Sequence, residues 1–125
     1  MRLSDCLQEF QTGGLRRTSD DKPFSDVIIS ERTPQQERDI ADHPSLKPQS
    51  FLRQVVHAAL PLGEGIIVDP FMGSGSTVAA AEALGLHCIG IERFVDYYEM
   101  SSIVIPKLAA VQTQFDREWS QLALI

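Results

Sequence analysis

At 125 residues, 43% hydrophobic and 22% charged, the chain has the make-up of one small soluble globular domain with a modest core. Its formal net charge of −6 weighs against extensive nucleic-acid contact by this chain alone, because phosphate binding rests on clustered Lys and Arg. No apolar run approaches the ~20 residues that span a bilayer, no h-region opens the N-terminus, and Cys6 and Cys88 lie far apart, so a cytoplasmic protein with reduced thiols is predicted.

In chain order, Leu3, Leu7 and Phe10 mark one face of a short helix closed by Gly13-Gly14, and residues 16–23 read as a polar loop. Arg16, Arg17 and Lys22 gather there, on what reads as a solvated turn. Residues 24–29 fit either a strand or a short buried turn. Residues 31–42 are charged, with a helical turn expected at 35–38 on the surface. The prolines of His43-Pro44-Ser45-Leu46-Lys47-Pro48 make a stiff, extended entry to the next helix. Phe51, Leu52, Val55, Val56, Ala59 and Leu60 form the stripe of that helix over 49–60, ended by Pro61-Leu62-Gly63. Residues 65–68 are apolar and β-branched, the pattern of a parallel strand buried on both faces. Residues 78–84 are strong helix formers stopped by Gly85, and residues 87–91 read as a second buried strand. Residues 95–105 are helical in pattern, with Tyr98 and Met100 turned toward sheet and ligand. Pro106 fits the first turn of a further helix through Leu108, Val111, Phe115 and Trp119.

The chain is organised around Asp69-Pro70-Phe71-Met72-Gly73-Ser74-Gly75-Ser76-Thr77, where the first strand turns into a helix. Two glycines one residue apart let the backbone approach a ligand closely, and the helix start offers unpaired N–H groups at the same place. A dinucleotide site favours a third glycine where Val78 stands, and a triphosphate loop needs a lysine that this turn lacks. The Asp69 carboxylate would repel a pyrophosphate but suits a cofactor carrying an ammonium and a sulfonium, such as S-adenosylmethionine. Glu92 ends the second strand about 20 residues later, placed to accept hydrogen bonds from ribose hydroxyls. His43, His57 and His87 show no ligand spacing with the cysteines, so no metal site is expected.

These two motifs in this order resemble the amino-methylating DNA methyltransferases of the β class, the N6-adenine and N4-cytosine enzymes whose cofactor half follows the catalytic half. The resemblance covers roughly residues 43–110. It implies an α/β chain with a partial Rossmann-like, three-layer fold and a small parallel sheet. Residues 1–42 would then be an N-terminal extension and residues 43–125 the cofactor-binding subdomain. By position, it implies His43, Pro44, Ser45 and Lys47 at the cofactor's methionine end, with Lys47 pairing the carboxylate or lying solvated at a helix entry. It implies Asp69, Phe71, Gly73, Ser74, Gly75 and Thr77 along the methionine and ribose, Glu92 on the ribose, and Arg93 or Phe94 near the adenine. Phe71 has a second reading, as a core residue under the loop.

One departure outweighs any match. The family holds its target amine with an Asp/Asn/Ser-Pro-Pro-Tyr/Phe segment, and none of the seven prolines here adjoins another. The catalytic residues are therefore unknown. The expectations are DNA as substrate with a complementary catalytic chain or half, a homodimer, or a sheet covered by residues 24–29; no membrane or metal is implied. The alternative is a truncated, non-catalytic module that holds the cofactor.

Overall fold

Glu37 sets the entry to the domain. In the computed structural model, which describes residues 15–17, 24–25 and 27–122, the helical turn expected at 35–38 is a helix, α1 (Gln35–Ile40). It lies at the surface as expected, with Gln35, Gln36, Arg38 and Asp39 exposed, and turns one residue inward. Glu37 is buried, and its Oε2 accepts the backbone N–H of Gln49 at 2.9 Å. A carboxylate borrowed from elsewhere in the chain thus serves the start of α2 (Gln49–Ala59), whose own N-cap is Pro48 and offers no side-chain oxygen. Burial pushes the Glu37 carboxyl above its ordinary range, against the opposing pull of that hydrogen bond and of Arg53.

The apolar stripe of α2 holds in part: Leu52 and Val56 pack on Ala80 and Ala81 with Phe51 against them, while Val55 and Ala59 are exposed. A second stripe runs beside it. Gln49, Arg53 and His57, four residues apart and so on one helical face, are all buried. Gln49 Nε2 donates to the Ser76 carbonyl, Arg53 to the carbonyls of Leu108 and Ala109, and the His57 ring meets Trp119 edge-on at 4.3 Å. The helix is therefore buried on two faces.

Strands β1 (Ile66–Asp69) and β2 (His87–Gly90) pair in parallel, Ile66 opposite His87 and Asp69 opposite Gly90, joined through α3 (Ser76–Ala83). Ala79, Ala80 and Ala81 are fully buried, their small side chains letting α2 and the next helix close on either side. That helix, α4 (Val95–Ala109), runs straight through Pro106, where a break is expected from the sequence. A proline at 106 removes only the hydrogen bond to the Ser102 carbonyl, and both residues are exposed in the closing turns, where water can serve that oxygen. The separate final helix is α5 (Gln114–Leu122). Thr113 and Asp116 hold its start reciprocally: the Asp116 carboxylate accepts the Thr113 N–H at 2.7 Å, and the Thr113 hydroxyl oxygen accepts the Asp116 N–H at 3.3 Å.

The chain is α/β with a small parallel sheet, but two expectations fail. Among the described residues the sheet has helices on one face only, so the structure has two layers there in place of three. Ile67 and Cys88 point to the helices, while Ile66 (63% exposed), Val68 (57%), Ile89 (52%) and Ile91 (52%) face outward. The strands are thus half-buried, not buried on both faces. Nor do the described residues include a covering strand. Residues 24–25 and 27–30 are irregular, with Val27 and Ile29 exposed. The helix expected from Leu3, Leu7 and Phe10 lies outside the described residues, as do Cys6 and Lys22. Arg17 is exposed as expected, whereas Arg16 is half-buried: its guanidinium lies against Gly63 and its backbone N–H donates to the Ala58 carbonyl.

Burial, with the Arg16 charge second, lowers the His57 pKa from 6.5 to about 4. A depressed imidazole means the unfolded chain binds the proton first. Its contribution to stability is complete above pH 6.5 and drains away as pH falls toward 4. Glu37, raised by burial, works in the opposite sense above pH 4.5. Urea unfolding at pH 7 and at pH 4.5, compared between the native chain and His57→Leu, isolates the imidazole. The native chain is expected to lose about 2–3 kcal/mol more than the variant; equal losses would refute this assignment.

Candidate cofactor-binding site

The loops after the two strands are laced together. The Asp69 carbonyl accepts the Ile91 N–H at 2.9 Å, and the Ile91 carbonyl accepts the Met72 N–H at 3.0 Å. Asp69 Oδ1 accepts the Phe71 N–H at 3.0 Å, which closes the turn on itself. Gly73 (φ 57°) and Gly75 (φ 91°) then take the left-handed backbone that the turn requires. Gly75 is the N-cap of α3, and no side chain caps that helix.

Glu92 ties the second strand to the glycine turn. Its Oε2 accepts the Gly73 N–H at 3.0 Å and its Oε1 the Phe94 N–H at 2.8 Å. From the other side comes His43. A Cβ on Gly73 would sit 2.9 Å from His43 Nε2, and the imidazole meets the Tyr97 ring edge-on at 4.5 Å. His43 Nδ1 accepts the Ser45 N–H at 3.1 Å, which fixes the bend of its own segment. Two motifs about thirty residues apart in the chain are in contact.

The fold therefore gathers His43, Asp69, Gly73, Ser74, Gly75 and Glu92 at the carboxyl ends of two parallel strands. Pro44 and Ser45 flank His43 at the surface, and Thr77 sits in the first turn of α3. Phe71 is 88% exposed, which removes its reading as a core residue under the loop. Arg93 lies over the Phe94 ring, its guanidinium carbon 4.6 Å from the centroid, so the pair forms an exposed plate beside Glu92. Lys47 does not join the turn. Its Nζ reaches the Ser45 hydroxyl at 3.5 Å and lines a separate cavity with Arg32, Thr33 and Arg38.

Tyr98 and Met100 do not face the sheet. Tyr98 is exposed and Met100 packs on Ala41, Ala79, Val104 and Leu108. The residues of α4 that back the turn are Tyr97, Ser101 and Ile105, four apart, and Ile105 fills the space beside Gly75. That spacing is the signal available in the sequence. Cys88 is free, and burial followed by the Asp69 charge raises its thiol pKa. Among the described residues no group of three His, Cys, Asp or Glu is arranged to hold a metal ion, and no helix is long and apolar enough to cross a membrane.

Two carboxylates, bent glycine backbone, an uncapped helix start and exposed aromatic rings suit a ligand with positive charge, hydroxyl groups and a flat base. S-adenosylmethionine has all three. A family profile described as DNA methylase, for N6 and N4 methyltransferases, matches residues 7–102. The chain is 32% identical over 87 residues to the Type II methyltransferase M2.DpnII of Streptococcus pneumoniae, covering 70% of this chain and 32% of that protein. It is 31% identical, with the same coverage, to the Type II methyltransferase M2.LlaDCHI of Lactococcus lactis subsp. cremoris. The chain thus spans about a third of the length of these relatives.

Proposed function

Because this chain belongs to the DNA methylase family of N6 and N4 methyltransferases, we propose that it is the S-adenosylmethionine-holding part of an enzyme that methylates adenine N6 or cytosine N4 in DNA. The observation that carries this reading is the Glu92 carboxylate, hydrogen-bonded to Gly73 with the His43 ring on the far side of the same glycine.

S-adenosylmethionine supplies an electrophilic methyl group on a sulfonium. Glu92 keeps lone pairs beyond its two backbone hydrogen bonds and accepts from the ribose hydroxyls. Asp69 faces the ammonium end, with His43, Pro44 and Ser45 alongside. Phe71, Gly73, Ser74, Gly75 and Thr77 would line the methionine and ribose section between, and Arg93 or Phe94 would lie near the adenine. Lys47 is left out of this set, since its ammonium reaches the Ser45 hydroxyl and none of the described contacts brings it to the glycine turn, although His43 and Pro44 line the same cavity.

The amine-holding Pro-Pro segment is absent from the sequence, so target-base chemistry belongs to another part of the complete enzyme. The bare sheet face supports the same division. Parallel sheets occur almost only with both faces covered, and two strands are too few to stand alone. Strands and helices of a complementary half, on this face and against the β1 edge, complete the fold. The missing segment also keeps open a second reading, a cofactor-binding module that transfers nothing.

Calorimetric titration of the chain with S-adenosylmethionine, with NAD as control, tests the cofactor site. Saturable binding is expected, weakened about tenfold or more in Glu92→Ala, as for loss of a buried charge-assisted pair. Glu92→Gln retains an acceptor and loses less. Equal binding by the native chain and Glu92→Ala would sink the assignment. In the same samples the isolated chain is expected to sediment above 13.9 kDa. A cooperatively unfolding monomer of that mass would remove the covered-face reading.

A further inference from the structure

We propose that the cavity between residues 30–33 and the His43–Pro48 segment binds a phosphodiester group of DNA, next to the cofactor turn. The inference rests on the family reading that DNA is the substrate. Arg32, Arg38 and Lys47 converge on this cavity, and Glu31 is the one carboxylate among its lining residues. A chain of net charge −6 is locally inverted here.

One observation points to an anion, and two more show that the wall is held in place. Among the described residues, no carboxylate pairs with Arg32, Arg38 or Lys47, whereas the buried Arg53 is paired with Asp116. The wall is tied: the Thr33 hydroxyl donates to the Leu46 carbonyl at 2.8 Å, holding the arginine-bearing segment against the lysine-bearing one. Arg38 is steadied by donating to Gln35 Oε1 at 2.8 Å. All three cations are exposed, and two guanidinium forks and an ammonium along one cavity suit the charge of a phosphate. The methionine end of the cofactor is a poorer fit, because its ammonium and sulfonium would be repelled by three cations. Those groups suit the strand tips, where Asp69 and Glu92 stand. His43 touches both places, so a phosphate held here lies beside the methyl donor's site.

The test is fluorescence anisotropy with a labelled duplex of about 20 base pairs, between about 50 and 200 mM salt, on the native chain, Arg32→Ala, Lys47→Ala and the exposed control Lys107→Ala. Arg32→Ala and Lys47→Ala are each expected to weaken binding by roughly 3–10-fold at low salt and to lower the salt slope by about 1. Lys107→Ala should match the native chain, and all variants should melt alike. S-adenosylmethionine affinity, measured on the same samples, should stay within about twofold. Unchanged DNA affinity and slope in the cavity variants overturns the proposal, as does a native chain that binds no DNA. Loss of cofactor binding in Lys47→Ala with an unchanged slope also overturns it, and assigns the cavity to the cofactor carboxylate. The cofactor titration judges the methylase reading separately.

Discussion

Replacing Arg53 with alanine is expected to lower the unfolding free energy by about 3–5 kcal/mol, the range for removing one partner of a buried pair. The residue is 1% exposed, and its side chain joins three helices. Its Nη2 donates to the Leu108 carbonyl at 3.0 Å and the Ala109 carbonyl at 3.2 Å, a cation at the C-terminal end of α4. Its Nη1 donates to Asp116, which also holds the start of α5 through Thr113. Alanine leaves two carbonyls without this donor, a carboxylate without its cation and a cavity where the stem ran. Native domains are stable by only about 5–15 kcal/mol, so the loss is a large share of the whole. Lysine should recover only part, because a single ammonium cannot reproduce the planar fork across separated acceptors. Urea denaturation at pH 7 measures it. A difference under about 1 kcal/mol would show that water serves the freed groups and that the three-helix junction does not depend on this residue.

Gly75→Ala is expected to destabilise the chain by about 2–5 kcal/mol, adding left-handed backbone strain to overpacking. A Cβ there would stand 2.6 Å from Ile105 Cγ1 and 2.7 Å from its Cδ1, at φ 91°. Gly85 separates the two contributions. It has φ 68° with nothing within 4 Å of the added carbon, so Gly85→Ala should show the backbone part alone, about 1–2 kcal/mol. Ile105→Ala in the Gly75→Ala background should return part of the loss, since the double change removes the clash. Denaturant midpoints for the four chains give the answer. If Gly75→Ala falls no further than Gly85→Ala, the packing of α4 on the glycine turn is looser than the geometry states. Cofactor binding should fall with stability in Gly75→Ala and survive in Gly85→Ala, which is remote from the turn.

Much of the site was legible in the sequence because its signals are local. Asp69 through Thr77 and Ile89 through Glu92 carry their backbone requirements in the residues themselves, glycine for left-handed φ and acidic residues at strand tips. Family likeness supplied the His43 segment, and the contact of His43 with Gly73 is where the two meet. What escaped reading was contact across the chain. Gln49, Arg53 and His57 look like the solvent side of an amphipathic helix, and only the packing of α1 and α3 at Gln49 and of α4 and α5 at Arg53 and His57 turns that stripe inward. Glu37 looks like surface charge until Gln49 is brought to it. Pro106 reads as a helix start, and α4 passes through it because the lost hydrogen bond falls on an exposed carbonyl. Strand hydrophobicity predicted two covered faces, yet a strand's sequence states what its faces need and not what else is present to cover them. By itself, then, the sequence determined the order of elements, the glycine turn and the acidic tips, since each depends on neighbours in the chain. Tertiary structure alone decided which polar groups are buried, that Lys47 lines a cavity with Arg32 and Arg38, and that one sheet face is bare among the described residues, because each depends on what distant segments bring into contact.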